Sequence, residues 1–413
     1  MTTFRRNVQI VLLTMVAVVL FAGAALSPAS AQTRFESVYN GHRIIYPASS
    51  IPVPGRPHTN YFWVDSDKAS LPGPPSNDET PGSIACVYQL VAGPTGCPIA
   101  TSTTVPKGGV GAIAIVDAGY YPNAQSDLDA FSTQFGIPKT TITQTWPHYA
   151  INTPPPPVYS DWEVEEALDI EWAHAMAPAA KLFLVVSPLC QSVQCSTDPT
   201  WAAIVLAAQL VAANGGGVVS MSFGDAEIPQ DTGFDQYFTQ PGVVFFAASG
   251  DSGIGVSIYP GSSPNVVSVG GTRFNRDGSG NFVSEVYDTG GGGDISPYEA
   301  RPSYQDGIAG IVGTQRGYPD VASNFCCAAI YLNGSWGSVG GTSWASPTFA
   351  GIVNAAGSLQ TSSAAELTMM YNEYANPQQY AAYFNDITAG GSHCMVGWDL
   401  CAGIGSPKTY GGK

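Results

Sequence analysis

Charge is what this 413-residue chain has least of. Only 15 residues are Lys or Arg and 5 are His, against 31 Asp or Glu, which leaves a formal charge of −16 and a pI near 4.5. So few cations exclude nucleic acid and anionic membrane surfaces as partners, because both are bound chiefly through Lys and Arg. Paired Cys-x-x-Cys and His-Glu-x-x-His motifs are missing, which removes the usual zinc sites. There is no Gly-x-Ser-x-Gly elbow of the lipase or esterase kind, and no Gly-Lys-Ser or Gly-Lys-Thr follows Gly290–Gly293 to make a phosphate loop. Beyond the first 31 residues no stretch is apolar enough to span a bilayer, so no stable membrane insertion is expected.

What is present begins with an export signal. Arg5 and Arg6, an apolar run from Ile10 to Leu26 and Ala29-Ser30-Ala31 give residues 1–31 the layout of a cleavable secretory peptide. The mature chain is expected to start near Gln32 and to be secreted, or periplasmic in a host with an outer membrane. Loss of the two arginines takes the formal charge from −16 to −18. A surface poor in ion pairs has less to lose when carboxylates protonate, which suits an acidic habitat. All eight cysteines lie in the exported part, an even number consistent with disulfides. The short separations Cys86/Cys97, Cys190/Cys195 and Cys394/Cys401 suggest local loops. Cys326 and Cys327 are then left as an adjacent pair or as thiols that pair elsewhere.

Residues 32–105 are rich in Pro, Ser, Thr and Gly and read as an irregular N-terminal segment, partly wrapped on the domain after it. From Gly108 short continuous apolar runs recur at 112–116, 182–186, 217–221 and 243–247, the pattern of strands buried on both faces. Helical patterns such as 202–213 lie between them. The alternation predicts an α/β fold with a doubly wound, mostly parallel sheet flanked by helices and functional groups at the carboxyl ends of its strands.

Three segments carry chemistry. Gly340-Gly341-Thr342-Ser343-Trp344-Ala345-Ser346-Pro347 is a glycine turn running into a small-residue, proline-started helix, so Ser343 is placed where free N–H groups and a positive dipole end can serve an oxyanion. Ser160-Asp161-Trp162-Glu163 opens a helix that Pro178 ends, and on it Glu165 and Asp169 share a face beside Val164, Leu168, Trp172 and Met176. A solvated acidic face would explain the pair. A buried pair sharing one proton would instead make a general base that works in acid. After the run Phe246-Ala247-Ala248 comes Ser249-Gly250-Asp251-Ser252-Gly253, where Asp251 can donate a hydrogen bond only while protonated.

Taken in order, these motifs resemble the sedolisin, or serine-carboxyl peptidase, family over residues 108–413. The resemblance extends through Ala177-Pro178-Ala179-Ala180-Lys181 and Ser220-Met221-Ser222-Phe223-Gly224. It implies a subtilisin-like fold over a peptidase domain of residues 106–413 and a secreted, acid-acting endopeptidase of peptide or protein substrates, expected to be a monomer. By position Ser343 matches the nucleophile, Glu165 the base, Asp169 the acid that orients it and Asp251 the oxyanion-hole acid. Ser222, Phe223 and Gly224 match the strand along which a peptide substrate pairs. The family also carries one structural Ca2+, and region 384–407 resembles that site, with carboxylates from Asp386 and Asp399 and carbonyls from Ile387, Met395 and Gly397. Met395 stands where a second glycine is usual, and the loop is short. The family's long propeptide is expected to be reduced or absent in residues 32–105.

Other readings weigh less. His174 lies nine positions beyond Glu165 without a glycine-flanked histidine motif and is expected to pack the helix; Asp117 is expected to be an auxiliary carboxylate. Gly250-Asp251-Ser252-Gly253 mimics a chymotrypsin-like nucleophile motif, but the one His-Cys, His393-Cys394, lies far downstream. The alternative from another class is a non-catalytic exported binding protein on a peptidase scaffold, whose signature would be loss of a catalytic position.

Overall fold

The computed structural model describes residues 35–39, 42–53, 55–147, 160–187 and 198–413. The expected secretory signal and the Cys190/Cys195 loop lie outside the described residues. In chain order the strands are β1 (Phe35–Tyr39), β2 (His42–Tyr46), β3 (His58–Thr59), β4 (Phe62–Val64), β5 (Ala112–Ala118), β6 (Ile142–Thr145), β7 (Lys181–Ser187), β8 (Gly217–Met221) and β9 (Phe223–Ala226). They continue with β10 (Val243–Ala248), β11 (Ile258–Tyr259), β12 (Val267–Arg276), β13 (Phe282–Tyr287), β14 (Asp294–Ala300), β15 (Gln315–Tyr318), β16 (Val321–Leu332) and β17 (Ser335–Gly340). The helices used below are α1 (Pro81–Val87), α2 (Ala124–Phe135), α3 (Ser160–Met176), α4 (Asp198–Ala213), the single turn α5 (Ala309–Val312) and α6 (Thr342–Ala355).

Each apolar run noted in the sequence is a strand of one twelve-stranded sheet with the order β1-β2-β4-β17-β16-β12-β10-β8-β5-β7-β6, β13 pairing beside β12. From β16 through β6 all neighbours are parallel. The runs are unbroken because both faces are covered. Side chains alternate across a strand, so Ile113 and Ile115 of β5 face α3 and α6, whereas Ala112, Ala114 and Val116 face α4 with its Ile204, Ala207 and Val211.

The stretch expected to be irregular is regular where it meets this sheet. β1, β2 and β4 extend it with antiparallel strands beside β17, and β3 leaves it to pair with β9. Ile44, Ile45, Phe62, Trp63 and Val64 are buried there. The high Pro and Gly content hid these short strands, whose pairing partners lie far along the chain. Disulfides join Cys86 to Cys97 and Cys394 to Cys401, as their spacing suggested, and Cys326 pairs with its neighbour Cys327. Among the described residues no helix is long and apolar enough to cross a membrane.

α3 and α6 lie side by side under the sheet. Trp172 meets Trp344 edge to face at 4.8 Å between ring centroids, and Gly351 lets the backbones close up, since a methyl there would stand 2.7 Å from Met176 Cβ and 2.9 Å from Ala173 O. This contact brings the Glu165 turn of α3 to the first turn of α6.

Candidate active site

Ser343 is the second residue of α6 and is fully buried. The turn before it needs glycine: Gly341 has φ +131°, and a methyl there would collide with Asn60 O and stand 2.6 Å from Asp251 Oδ2. The sequence suggested a helix started by proline, but the helix begins at Thr342 and Pro347 lies inside it. That position has a consequence. Pro347 has no N–H to give to the carbonyl four residues back, so Ser343 O is free, and the Ser222 hydroxyl lies 3.2 Å from it. The Ser343 hydroxyl donates to Ser222 O at 3.0 Å and accepts from the Asn60 N–H at 3.1 Å.

Glu165 and Asp169 are wholly buried, as are Glu166 and Glu171 on the same helix. The solvated acidic face is therefore excluded. Burial raises the Glu165 carboxyl far above its ordinary range; Asp169 and Asp117 push the same way, the Ser343 hydroxyl works against it, and Asp251 adds a smaller push. Those contributions set Glu165, Asp169, Asp117, Asp251 and Ser343 in one electrostatic cluster. Neither Glu165 oxygen has a hydrogen-bond partner among the described residues. Asp169 Oδ1 accepts from the Ser222 hydroxyl at 2.9 Å, which partly offsets the upward push of burial. A hydroxyl has one proton, so Ser222 serves Asp169 when that acid is ionised and Ser343 O when the acid is protonated and donates in turn. So many carboxyls in a dry cluster hold at most a small negative charge, and Glu165 and Asp169 lose protons as a pair.

Asp251 approaches from the end of β10. Its Oδ1 accepts from Thr342 N at 2.8 Å and from the Thr342 hydroxyl at 2.7 Å, while Oδ2 has no partner among the described residues. Burial raises this carboxyl well above the carboxylate range against both Thr342 bonds. The protonated acid then carries a hydrogen for donation from the oxygen nearest Gly341. The Ser343 N–H, at the other side of Gly341, donates to Asn60 O at 3.0 Å.

The structure thus brings Ser343, Glu165, Asp169 and Asp251 together from well-separated elements, with Ser222 between two of them and Phe223 and Gly224 on β9. Asp117, expected to be auxiliary, joins the cluster at the end of β5 with both oxygens unpartnered among the described residues. His174 does not join it; its Nε2 lies 2.8 Å from Pro138 O, and burial lowers its pKa. Sequence reasoning missed Asn60, which no motif marks, and the side-chain roles of Ser222 and Thr342. A signal for Thr342 exists: a hydroxyl directly before the serine can reach a carboxyl beside the turn.

A second group lies at the C-terminal loop, closed by the Cys394–Cys401 disulfide. The Gly397 N–H donates to both Asp386 oxygens, and Asp399 accepts from the N–H groups of Met395, Cys401 and Ala402. Burial raises Asp399 to about 6; those amides oppose the shift and Asp386 adds to it. Among the described residues no group of three or more His, Cys, Asp or Glu could hold a metal, so a cation here would depend on carbonyls as well as the two carboxylates. Both carboxylates are turned to backbone N–H groups, and as oxygen donors they are of the hard kind that calcium takes.

No family model matches the chain. Kumamolisin from Bacillus sp. (strain MN-32) is 28% identical over 379 residues, covering 79% of this chain and 62% of the relative. Sedolisin from Pseudomonas sp. (strain 101) is 31% identical over 199 residues, 40% of this chain and 33% of the relative. The chain therefore spans less than two thirds of the length of these curated relatives. A solved structure of Pseudomonas sedolisin, a serine-carboxyl proteinase complexed with two molecules of pseudo-iodotyrostatin, superposes with a TM-score of 0.63 at 22% identity, covering 81% of this chain and 96% of that one.

Proposed function

We propose that this chain, which is similar to sedolisin-family peptidases, is itself a secreted, acid-acting endopeptidase of peptide and protein substrates. The observation that carries the reading is the convergence of Ser343, Glu165, Asp169 and Asp251 at the start of α6. The Ser343 hydroxyl turns from Ser222 O to the Glu165 carboxylate, which takes its proton as the oxygen attacks a peptide carbonyl. Asp169, tied to Ser222, holds the charge of the pair at the base. The oxyanion accepts from the Ser343 N–H and the protonated Asp251. Substrate is aligned along β9 at Ser222, Phe223 and Gly224, and water then releases the acyl group from Ser343. Calcium bound by Asp386 and Asp399 with the carbonyls of Ile387, Met395 and Gly397 would tie down the C-terminal loop.

A binding protein on a peptidase scaffold is not favoured, since every catalytic position is kept. The deciding experiment is the pH dependence of hydrolysis of an unfolded protein by the chain, Ser343→Ala and Glu165→Gln across about pH 2–8, the span of carboxyl and histidine titration. Activity confined to acid, and reduced about 10⁶-fold in Ser343→Ala, is expected. A neutral optimum retained in Glu165→Gln would sink the carboxyl mechanism.

A further inference from the structure

The strand that supports the Ser343 turn is interrupted at the Cys326–Cys327 disulfide. β16 and β17 form a hairpin whose turn residues, Asn333 and Gly334, both have positive φ (50° and 85°), the conformation that fixes the register of a tight hairpin. From that end the pairing is regular, from Leu332 opposite Ser335 back to Ala328 opposite Val339. There it breaks: the next pair is Cys326 with Gly340, which leaves Cys327 as the extra residue of a bulge. On its other edge β16 steps at the same place, Asn324 lying opposite Thr272 and Cys326 opposite Arg273 of β12.

The bulge decides where the catalytic turn is held. Just before it, Phe325 O accepts from the Gly341 N–H at 2.7 Å, and Gly341 leads through Thr342 to Ser343. Gly340 lies against the same carbonyl, since a methyl there would stand 2.6 Å from Phe325 O. Just after it, Cys327 O accepts from the Glu79 N–H at 2.9 Å. Continued without a bulge, the hairpin register would bring Cys327 opposite Gly340 and Cys326 opposite Gly341. That is a slip of one residue, about 3.3 Å, and it takes Gly341 off Phe325 O. What prevents the slip is covalent. Successive side chains of a regular strand point to opposite faces, so adjacent cysteines stay bonded to each other only while the strand is irregular between them.

The bond is also within reach of a small molecule. Both cysteines are half-buried and line an open cavity of about 640 Å³ together with His42, Ser76 and Arg273. In each of the other described disulfides one cysteine is buried, Cys86 at 5% exposure and Cys401 at 0%. Arg273 lines the cavity at the position opposite Cys326, and a guanidinium there favours a thiolate over a thiol.

We propose that Cys326–Cys327 is a thiol-exchange site through which a small dithiol switches the peptidase off and re-oxidation switches it on; the proposal rests on the peptidase reading of Ser343. One thiolate of the dithiol attacks a sulfur of the pair, the S–S bond breaks, and the other cysteine leaves as a thiolate and takes up a proton. The second thiol of the dithiol then displaces the first cysteine. The dithiol ends as a disulfide, having given up two electrons and two protons, and Cys326 and Cys327 end as thiols. Released from each other, their side chains take opposite faces of a regular strand and the bulge closes. Gly341 then leaves Phe325 O and carries Ser343 away from Glu165 and Asp251.

The test treats the purified full chain with a graded series of dithiothreitol at about pH 8, near the ordinary thiol pKa. One portion of each sample is alkylated and its thiols are located by mass spectrometry. The rest is assayed in acid for hydrolysis of an unfolded protein and for amide hydrogen exchange over residues 335–345. As Cys326 and Cys327 open, kcat is expected to fall about 10²-fold, the order that a misplacement near 1 Å costs. KM and circular dichroism should hold, because β9 is untouched, while exchange over 335–345 quickens. Oxidised dithiothreitol should reverse both changes. The double variant Cys326→Ser with Cys327→Ser is expected to start at the lowered kcat and to ignore the dithiol. Full activity with the pair open would overturn the proposal and leave the peptidase reading standing. So would a loss that follows the thiols of another disulfide, or a pair that stays closed while Cys86–Cys97 opens. If the untreated chain hydrolyses nothing, the peptidase reading falls, and exchange over 335–345 that does not change on opening the pair removes the proposal separately.

Discussion

At the scale of single residues, the cluster works through groups that have a free valence at the right place. Asp251 uses one oxygen to accept twice from Thr342 and keeps the other bare beside Gly341. Replacing it by Ala removes one oxyanion donor and should lower kcat by about 10²- to 10³-fold. Asp251→Asn keeps an acceptor for Thr342 and supplies an N–H that needs no protonation. It is expected to retain more activity than the alanine variant, with an alkaline limb no steeper than the parent's, as steady-state kcat against pH would report. Equal losses in the two variants would mean that donation from this position is not used. Ser222 acts similarly through geometry: the missing N–H of Pro347 frees Ser343 O, and one hydroxyl then links that carbonyl to Asp169. The glycines, the serine and the Glu165/Asp169 spacing could be read in the sequence. The partner of the serine could not, because Asn60 lies 283 residues away and has no motif of its own.

Between elements, the critical contact is α3 on α6. Helical spacing predicted α3 and its face of Glu165 and Asp169, and the helix indeed runs from Ser160 to Met176. Which acids are buried was not legible, since Glu166 and Glu171 are covered too: a helix clamped between sheet, α2 and α6 has no solvent face to reveal by periodicity. Gly351 sets the separation of the two helices. In Gly351→Ala the gain in helix propensity, about 1 kcal/mol, is opposed by a methyl pressed on Met176 Cβ and Ala173 O. The variant should melt lower and lose kcat as Glu165 is moved from Ser343, measured by thermal unfolding and by turnover in parallel. A higher melting temperature with full activity would show that the helices have room to spare.

Over the whole molecule, buried carboxyls set the response to pH. Burial raises Asp78 to about 7, Glu285 to about 7, Glu373 to about 7, Glu299 to about 8 and Asp231 to about 6. A raised folded pKa means the native state binds protons more tightly than the unfolded chain does. The stability it contributes is complete below the ordinary carboxyl pKa and is lost as pH rises through about 6 to 8. The urea midpoint is therefore expected to be higher at pH 4 than at pH 8, and a rise toward pH 8 would contradict this account of the buried carboxyls. Chelator in excess should lower the melting temperature through the C-terminal loop, and an unchanged curve would remove calcium from the account. The sequence by itself determined the parallel α/β core, since strands buried on both faces must be continuously apolar, and it named the acids and the serine, since their local spacings are fixed by helix and turn geometry. Only the tertiary structure decided which acids share one dry cluster and that residues 58–61 lie across the nucleophile, because burial and strand pairing arise from segments far apart in the chain and leave no periodic trace in either.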